Sequence, residues 1–256
     1  MQFRITTLLI ITACFAALWL TPLPAQCETV QFVTEQFPPL AYTKNGKLEG
    51  YNIDLLKAVC KKMNVPSYNI RIQPFPRSIK HFNSRVPTCL FPIALTMNRR
   101  AKHRYAPSSA SFQVGILTHK KYTKEFADKK KIHNSRISIG KSSSTVRILR
   151  RYGFSQKSFE YGTTLPCIVK KFAKGRTHLI AGDIASIKYN YKLVGGDPSD
   201  LVVLKKLSEL QNGFIFNNAV SQNFVYAFQQ TLSELINSKE GKRIYNKHFA
   251  FKKSKT

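Results

Sequence analysis

The apolar residues of this chain change period repeatedly between Thr29 and Phe249, and that alternation constrains the fold class before any single residue does. Thr29 to Thr34 reads as a strand and is broken by Pro38-Pro39. Leu40 to Thr43 and Lys47 to Tyr51 flank Asn45-Gly46, a pair that takes the positive φ angles of a tight hairpin turn. Ile53, Leu56, Val59, Cys60 and Met63 then recur at helical spacing, with Lys57, Lys61 and Lys62 outside the apolar stripe. Tyr68 to Gln73 alternates like a strand, Ile79 to Phe82 suggests a short helix, and Cys89 to Leu95 a buried strand. Strand and helix in turn predict an α/β architecture.

A second unit of the same kind follows Pro107-Ser108-Ser109. Phe112 to Leu117 and Arg136 to Ile139 are strand-like, and the latter runs into Ser142-Ser143-Ser144-Thr145, the expected start of a helix through Leu149. Leu165 to Phe172 predicts another helix, His178 to Ala181 and Leu201 to Lys205 two more strands, and Gly213 to Phe216 a short apolar piece. Phe224, Phe228, Leu232 and Leu235-Ile236 mark a long amphipathic helix, and Gly241 to Phe249 a last one. Neither an internal repeat nor a low-complexity linker separates the units, so the expectation is two interlaced lobes.

The first residues set the compartment. Arg4 is followed by an uncharged apolar run from Leu8 to Leu20, then by Pro22, Pro24 and Ala25, with the first acid at Glu28. Basic, apolar and small segments in that order predict a secretory signal over 1–27, too short and too early broken by proline to serve as a span. Cys27 raises a lipid anchor as a lesser alternative, since Gln26 stands where such processing prefers a small residue. No later segment is long and apolar enough to cross a bilayer, so a mature chain in the periplasm is expected. Cys60, Cys89 and Cys167 show no metal-knuckle or redox spacing, and no disulfide can be assigned.

The formal net charge is +28, or +27 once Arg4 is removed. Such a charge favours anionic partners. The basic residues are nevertheless scattered from Lys44 to Lys255, without an aromatic-interleaved stripe or nucleic-acid motif, so a solvated basic face is expected and no nucleic-acid partner. Catalytic patterns are wanting as well. The 13 acids form no evident acid/base pair, and His81, His103, His119, His133, His178 and His248 lack metal-ligand spacing. Gly140-Lys141-Ser142 resembles the end of a phosphate loop, but Ser135 stands where that loop needs glycine. No metal or cofactor is expected, and no enzyme.

Binding residues are better marked. Thr34-Glu35-Gln36-Phe37-Pro38-Pro39-Leu40-Ala41-Tyr42, followed by Gly46-Lys47-Leu48-Glu49-Gly50-Tyr51-Asn52-Ile53-Asp54-Leu55-Leu56, resembles the opening of the polar-amino-acid periplasmic solute-binding proteins of family 3. The resemblance covers nearly the whole mature chain. Thr96-Met97-Asn98-Arg99 is similar to that family's Thr-x-x-Arg, which implies that Arg99 grips a ligand α-carboxylate. Gly175-Arg176-Thr177-His178-Leu179-Ile180-Ala181-Gly182-Asp183 is similar to its Gly-Arg-x-Asp-Ala-x-x-x-Asp, which implies that Asp183 holds an α-ammonium. Chemistry agrees: a buried zwitterion needs both charges met, and a guanidinium pairs a carboxylate with two parallel bonds. Arg100 is the neighbouring alternative to Arg99. Asp183 follows an apolar strand, where open α/β sheets bind ligands, although a helix N-cap is the plain alternative. Ser143 and Ser144 match the family's serine/threonine element at a helix start, as ligand donors, as caps, or both.

By the same resemblance, Phe37 and Phe75 take the positions that sandwich a ligand side chain, although Phe75, between Pro74 and Pro76, also reads as an exposed loop aromatic. Glu35 takes a position that is acidic in relatives holding a cationic side chain, and Arg77 pulls toward an acidic or polar ligand. His178 departs from the family aspartate and reads as structural. Pro92 and Ala94 replace ligand-contacting serines and leave only backbone groups there. The resemblance implies a two-lobed type-II periplasmic-binding-protein fold with an interlobe cleft and two hinge crossings, lobe 1 taking 28–112 plus 210–256 and lobe 2 taking 113–209. It implies a monomer that captures a small amino acid or analogue for the permease of an ATP-driven importer. A ligand-presenting sensory protein, or a cyclohexadienyl-dehydratase-like enzyme on the same fold, are the alternatives.

Overall fold

A computed structural model describes residues 29–249 apart from 142. The expected signal over 1–27, with Cys27, lies outside the described residues. The first elements are β1 (Gln31–Thr34), the hairpin β2 (Tyr42–Lys44) and β3 (Lys47–Glu49), α1 (Tyr51–Lys62), β4 (Asn69–Ile72), α2 (Phe75–Phe82), β5 (Thr88–Ala94) and α3 (Met97–Lys102). Then come β6 (Arg104–His119), α4 (Lys129–Asn134), β7 (Ile137–Gly140), α5 (Ser144–Arg151), β8 (Phe159–Gly162), α6 (Leu165–Ala173), β9 (Leu179–Asp183), α7 (Ile184–Leu193) and β10 (Leu201–Phe216), with α8 (Gln222–Asn237) and α9 (Lys239–Phe249) last. The hairpin turns where the sequence predicts it: Asn45 and Gly46 have φ of 50° and 74°, and Lys44 faces Lys47.

Eight strands form one sheet in the order β4-β1-β5-β10-β6-β9-β7-β8. Its middle is a ribbon of two 16-residue antiparallel strands, β6 and β10. One end of the ribbon joins β5 through residues 212–216 of β10. The other end joins β9 through Val114 to Thr118 of β6. Between those attachments, Ser111 to Gln113 of β6 have no strand partner but β10, the register slips between Gln211 and Gly213, and the Leu95 N–H donates to the Gln211 carbonyl at 2.8 Å. The sheet is therefore two lobes, each parallel apart from its ribbon strand, and the ribbon crosses between them twice.

Each lobe has its own apolar centre. Phe32, Phe91, Phe214 and Phe228 stack together in the first, with Phe214 and Phe228 ring centroids 5.2 Å apart. Phe228 belongs to α8, so the end of the chain returns to the first lobe, where Asp54 of α1 accepts hydrogen bonds from Lys247 and His248 of α9 at 2.7 and 2.8 Å. Leu117, Ile168, Val169, Phe172, Ile180 and Ile187 fill the second. The approach of α6 to β8 is close enough to demand glycine, since a Cβ at Gly162 would lie 2.4 Å from Ile168 Cγ1.

The structure departs from the sequence reading at the ribbon and at α2. Leu201 to Lys205 and Gly213 to Phe216 are the two ends of one strand, and Pro107-Ser108-Ser109 lies inside β6 and not between units. Helix α2 starts at Phe75, with Pro74 at the N-cap position and Pro76 in a first turn whose N–H groups have no helical partner. Cys60, Cys89 and Cys167 are free thiols, the first two buried, and burial pushes Cys60 up to about 12. Among the described residues no helix is long and apolar enough to cross a membrane.

Candidate ligand-binding cleft

The C-terminal ends of strands from both lobes meet across one cleft of about 100 Å³, the place where open α/β sheets collect ligands. From the first lobe, β1 runs into Glu35 and Phe37, α2 begins with Phe75, and β5 ends at Pro92, Ile93 and Ala94. Arg99 reaches the same space from α3, whose first turn is capped by Thr96 Oγ1 accepting from the Arg99 N–H. The Arg99 guanidinium donates to the Ala94 carbonyl at 2.8 Å, which fixes its direction. Ala94, in place of a serine, thus contributes a backbone acceptor that holds the arginine.

The second-lobe wall is made of helix starts. Strands β7, β8 and β9 each lead directly into a helix, and the three caps, Ser143 for α5, Thr164 for α6 and Asp183 for α7, all line the cleft. Ser143 accepts from the Thr145 N–H at 3.1 Å and Thr164 from the Cys167 N–H at 3.4 Å. Asp183 Oδ2 accepts from the Ser186 N–H at 2.9 Å, and its Oδ1 from the Gln113 N–H of the ribbon at 3.0 Å. The plain reading of Asp183 as an N-cap holds, and the same carboxylate faces the cleft. Phe112, Val114 and Leu210 of the ribbon complete the lining, with Phe112 edge-on to Phe37 at 5.3 Å.

Burial dominates the electrostatics. Desolvation, then the like charge of Arg147, bring Arg99 down to about 10, so it stays cationic at neutral pH in a setting that an anion would relieve. Desolvation carries Glu35 up to about 8, so at neutral pH it is mostly a neutral acid. Desolvation also raises Asp183, against the backbone N–H groups of Ser186 and Gln113, which favour its charged form. A cavity with a guanidinium at one place and two recessed carboxyls at others has the groups to meet a small dipolar molecule.

Of the residues singled out in the sequence, Arg99, Asp183, Ser143, Ser144, Phe37, Phe75 and Glu35 line this cleft together. Phe75 is 8% exposed, so it is a wall residue and not a loop aromatic. Two others lie elsewhere. Arg77 is exposed on α2 and lines neither this cleft nor the chamber beside it, because two residues along a helix turn it to the opposite side from Phe75. Thr96 lines only an adjoining chamber. Arg100 turns away, donating to the Leu95 carbonyl just past β5 at 3.0 Å and to Gln211 Oε1 of the ribbon at 2.7 Å. His178 stacks on Tyr122 with ring centroids 3.9 Å apart, a packing role. Sequence reasoning missed Lys141, Thr163, Thr164 and the ribbon residues; Thr164 followed by Pro166 is a helix-start signal that marks the α6 end of the cleft.

The adjoining chamber, about 980 Å³, shares Arg99, Lys141, Ser143, Ser144 and Leu210 with the inner cleft. Met97, Arg147, Arg150, Arg151 and Tyr161 also border it. Among the described residues, no group of histidine, cysteine and carboxylates is placed to hold a metal ion.

Residues 30–251 match the family model of the bacterial extracellular solute-binding proteins, family 3. No curated protein matches the chain. Among solved structures, the chain is similar to the arginine-, lysine-, histidine-binding protein ArtJ of Geobacillus stearothermophilus, with TM-score 0.74, 17% identity and coverage of 88% of this chain and 96% of that one. A histidine-bound substrate-binding protein of an ABC uptake transporter from Streptococcus pneumoniae gives TM-score 0.75 at 16% identity, covering 89% and 94%. A histidine kinase sensor domain with similarity to periplasmic binding proteins gives TM-score 0.72 at 17% identity, covering 86% and 96%. The shared architecture is the type-II periplasmic-binding-protein fold.

Proposed function

The chain belongs to the bacterial extracellular solute-binding proteins of family 3, and from that premise we propose that it is an exported receptor for a small amino acid or amino-acid-like zwitterion, delivering it to the permease of an ATP-driven importer. The observation that carries this reading is the convergence of Arg99 and Asp183, from opposite lobes, on one cleft. Arg99 takes the ligand carboxylate, helped by the N–H groups at the start of α5 beside Ser143 and Ser144. Asp183 takes the ammonium, its geometry already fixed by two backbone donors. Phe37 and Phe75 pack the side chain.

Lobe 1 comprises 28–112 and 210–256, lobe 2 comprises 113–209, and the protein acts as a monomer. Both boundaries fall in the middle of the ribbon, between its attachments to β5 and β9, the natural place for a hinge. Titration calorimetry of the purified protein against an amino-acid panel tests the function: one saturable ligand is expected, with affinity lost in Arg99→Ala, and an unchanged affinity in that variant rejects the assigned site.

A sensory role is the second reading, favoured by the likeness to a kinase sensor domain. It predicts ligand binding without permease stimulation in reconstituted vesicles. The dehydratase alternative draws on Glu35, a cleft acid that keeps its proton at neutral pH; turnover of cyclic carboxylates separates it from capture.

A further inference from the structure

The inner cleft and the chamber outside it differ in charge. The inner lining sets Arg99 and Lys141 against Glu35 and Asp183. The outer lining has five cations, Arg99, Lys141, Arg147, Arg150 and Arg151, and no carboxylate among the described residues. Arg147, Arg150 and Arg151 lie three and four positions apart on α5 and so share about 100° of its circumference. Like charges at that spacing repel, and no hydrogen bond or ion pair among the described residues answers the three guanidiniums, which stand exposed. Elsewhere in the second lobe carboxylates do answer cations: Lys171 donates to Glu160 at 2.9 Å, and Asp200 lies 3.6 Å from Lys120.

Polar neutral groups fill out the same chamber, with Gln156, Ser208 and the Tyr161 ring along its border. Concave, with positive charges but no negative ones among its described lining residues, furnished with planar donors and sharing Arg99 with the cleft, the space suits a small oxyanion with several negative oxygens.

We infer that the outer chamber is a second binding site, for a multivalent phosphoryl or carboxylate anion held by Arg147, Arg150 and Arg151. The anion is either a free molecule or the acidic extension of the molecule whose other end occupies the inner cleft. Arg99, which borders both spaces, links them.

The test compares two variants of equal net charge: Arg147→Gln/Arg150→Gln/Arg151→Gln, and Lys129→Gln/Lys130→Gln/Lys131→Gln on the exposed face of α4. Pyrophosphate is titrated into each at constant ionic strength, so that diffuse attraction is the same for both variants. Saturable one-to-one binding is expected in the native protein, weakened about tenfold or more in the arginine variant and less than about twofold in the lysine variant, as directed guanidinium bonds require. If the triple variant unfolds, Arg147→Gln and Arg151→Gln singly carry the same comparison. No saturable binding, or equal loss in both variants, overturns the site.

Serine and O-phosphoserine distinguish the two sources. Tighter binding of the phosphorylated form, with the gain lost in the arginine variant, makes the anion part of the cleft ligand. Pyrophosphate binding that is indifferent to the inner ligand makes it a separate molecule. The pyrophosphate result does not depend on the amino-acid reading: an amino-acid panel that fails leaves the outer site standing, and the reverse holds equally.

Discussion

On the first-lobe wall of the cleft the polar atoms belong to long side chains, those of Glu35 and Arg99, whereas the second-lobe wall presents the starts of three helices capped by Ser143, Thr164 and Asp183. Side chains of the first kind can be tuned one at a time by substitution. Helix starts hold backbone N–H groups in place by the fold, and their caps are already engaged. On the proposed reading the difference teaches that substitutions on the first lobe alter single contacts, whereas the second lobe supplies backbone donors set by the fold, beside the charged side chains of Lys141 and Asp183.

The largest effect expected from this contrast is at Arg99. Arg99→Ala should weaken ligand binding by about thirtyfold to several thousandfold in calorimetry, since a truncated buried charge partner costs ~2–5 kcal/mol. Ser143→Ala and Thr164→Ala keep the backbone donors and should cost about tenfold or less, with a loss of roughly 1 kcal/mol in stability from the cap. Equal losses at the three sites would break the comparison.

Asp183 separates its two roles. Asp183→Asn keeps a good N-cap, so chemical denaturation should place its stability within about 1 kcal/mol of the native protein, yet ammonium binding should fall by about tenfold or more. Asp183→Ala should lose both.

Glu35 sharpens the side-chain half through pH. Its folded value of about 8 lies above the ordinary glutamate value of 4.5, so between those two pH values the folded protein holds a proton there that the unfolded chain releases. Stability from this group is therefore full below about 4.5 and declines as pH rises to about 8. Glu35→Gln should flatten that decline in thermal melts between pH 5 and 9. If the ligand side chain is a cation, its binding expels that proton, and affinity should climb by up to about tenfold per pH unit below 8; a flat profile would assign a neutral or acidic ligand.

The smallest expected effect lies away from the cleft. Desolvation raises the Asp54 carboxyl, but bonds from His248 and Lys247 outweigh it and hold the group at about 2. Asp54→Asn should cost ~1–2 kcal/mol at pH 7 by denaturant titration, in the range for a partly exposed charged hydrogen bond. In the native protein that contribution is present above pH 4 and fades as pH falls toward 2.

Much of the fold was legible in the sequence because most elements bury one face. Ile53, Leu56, Val59 and Cys60 recur at helical spacing and are all buried in α1. The ribbon was not legible, and the reason is chemical: burial alternates cleanly along Ser108 to Gln113, but two of the three inward residues are Ser108 and Ala110, so the alternation barely shows in hydropathy. At the site, Arg99 and Asp183 were recoverable from local motifs. Phe112 and Leu210 were not, since their place depends on pairing between segments about a hundred residues apart.

The middle stretch of β6 and β10 behaves as a leaf spring of two bonded plies. Its hydrogen bonds run across the strands, so flexing along the length shortens or stretches none of them. Two plies side by side nevertheless resist shear and twist far better than one. A swing of one half toward the other about this stretch would therefore spare most ladder bonds, and on the proposed reading it would carry Asp183 toward Arg99.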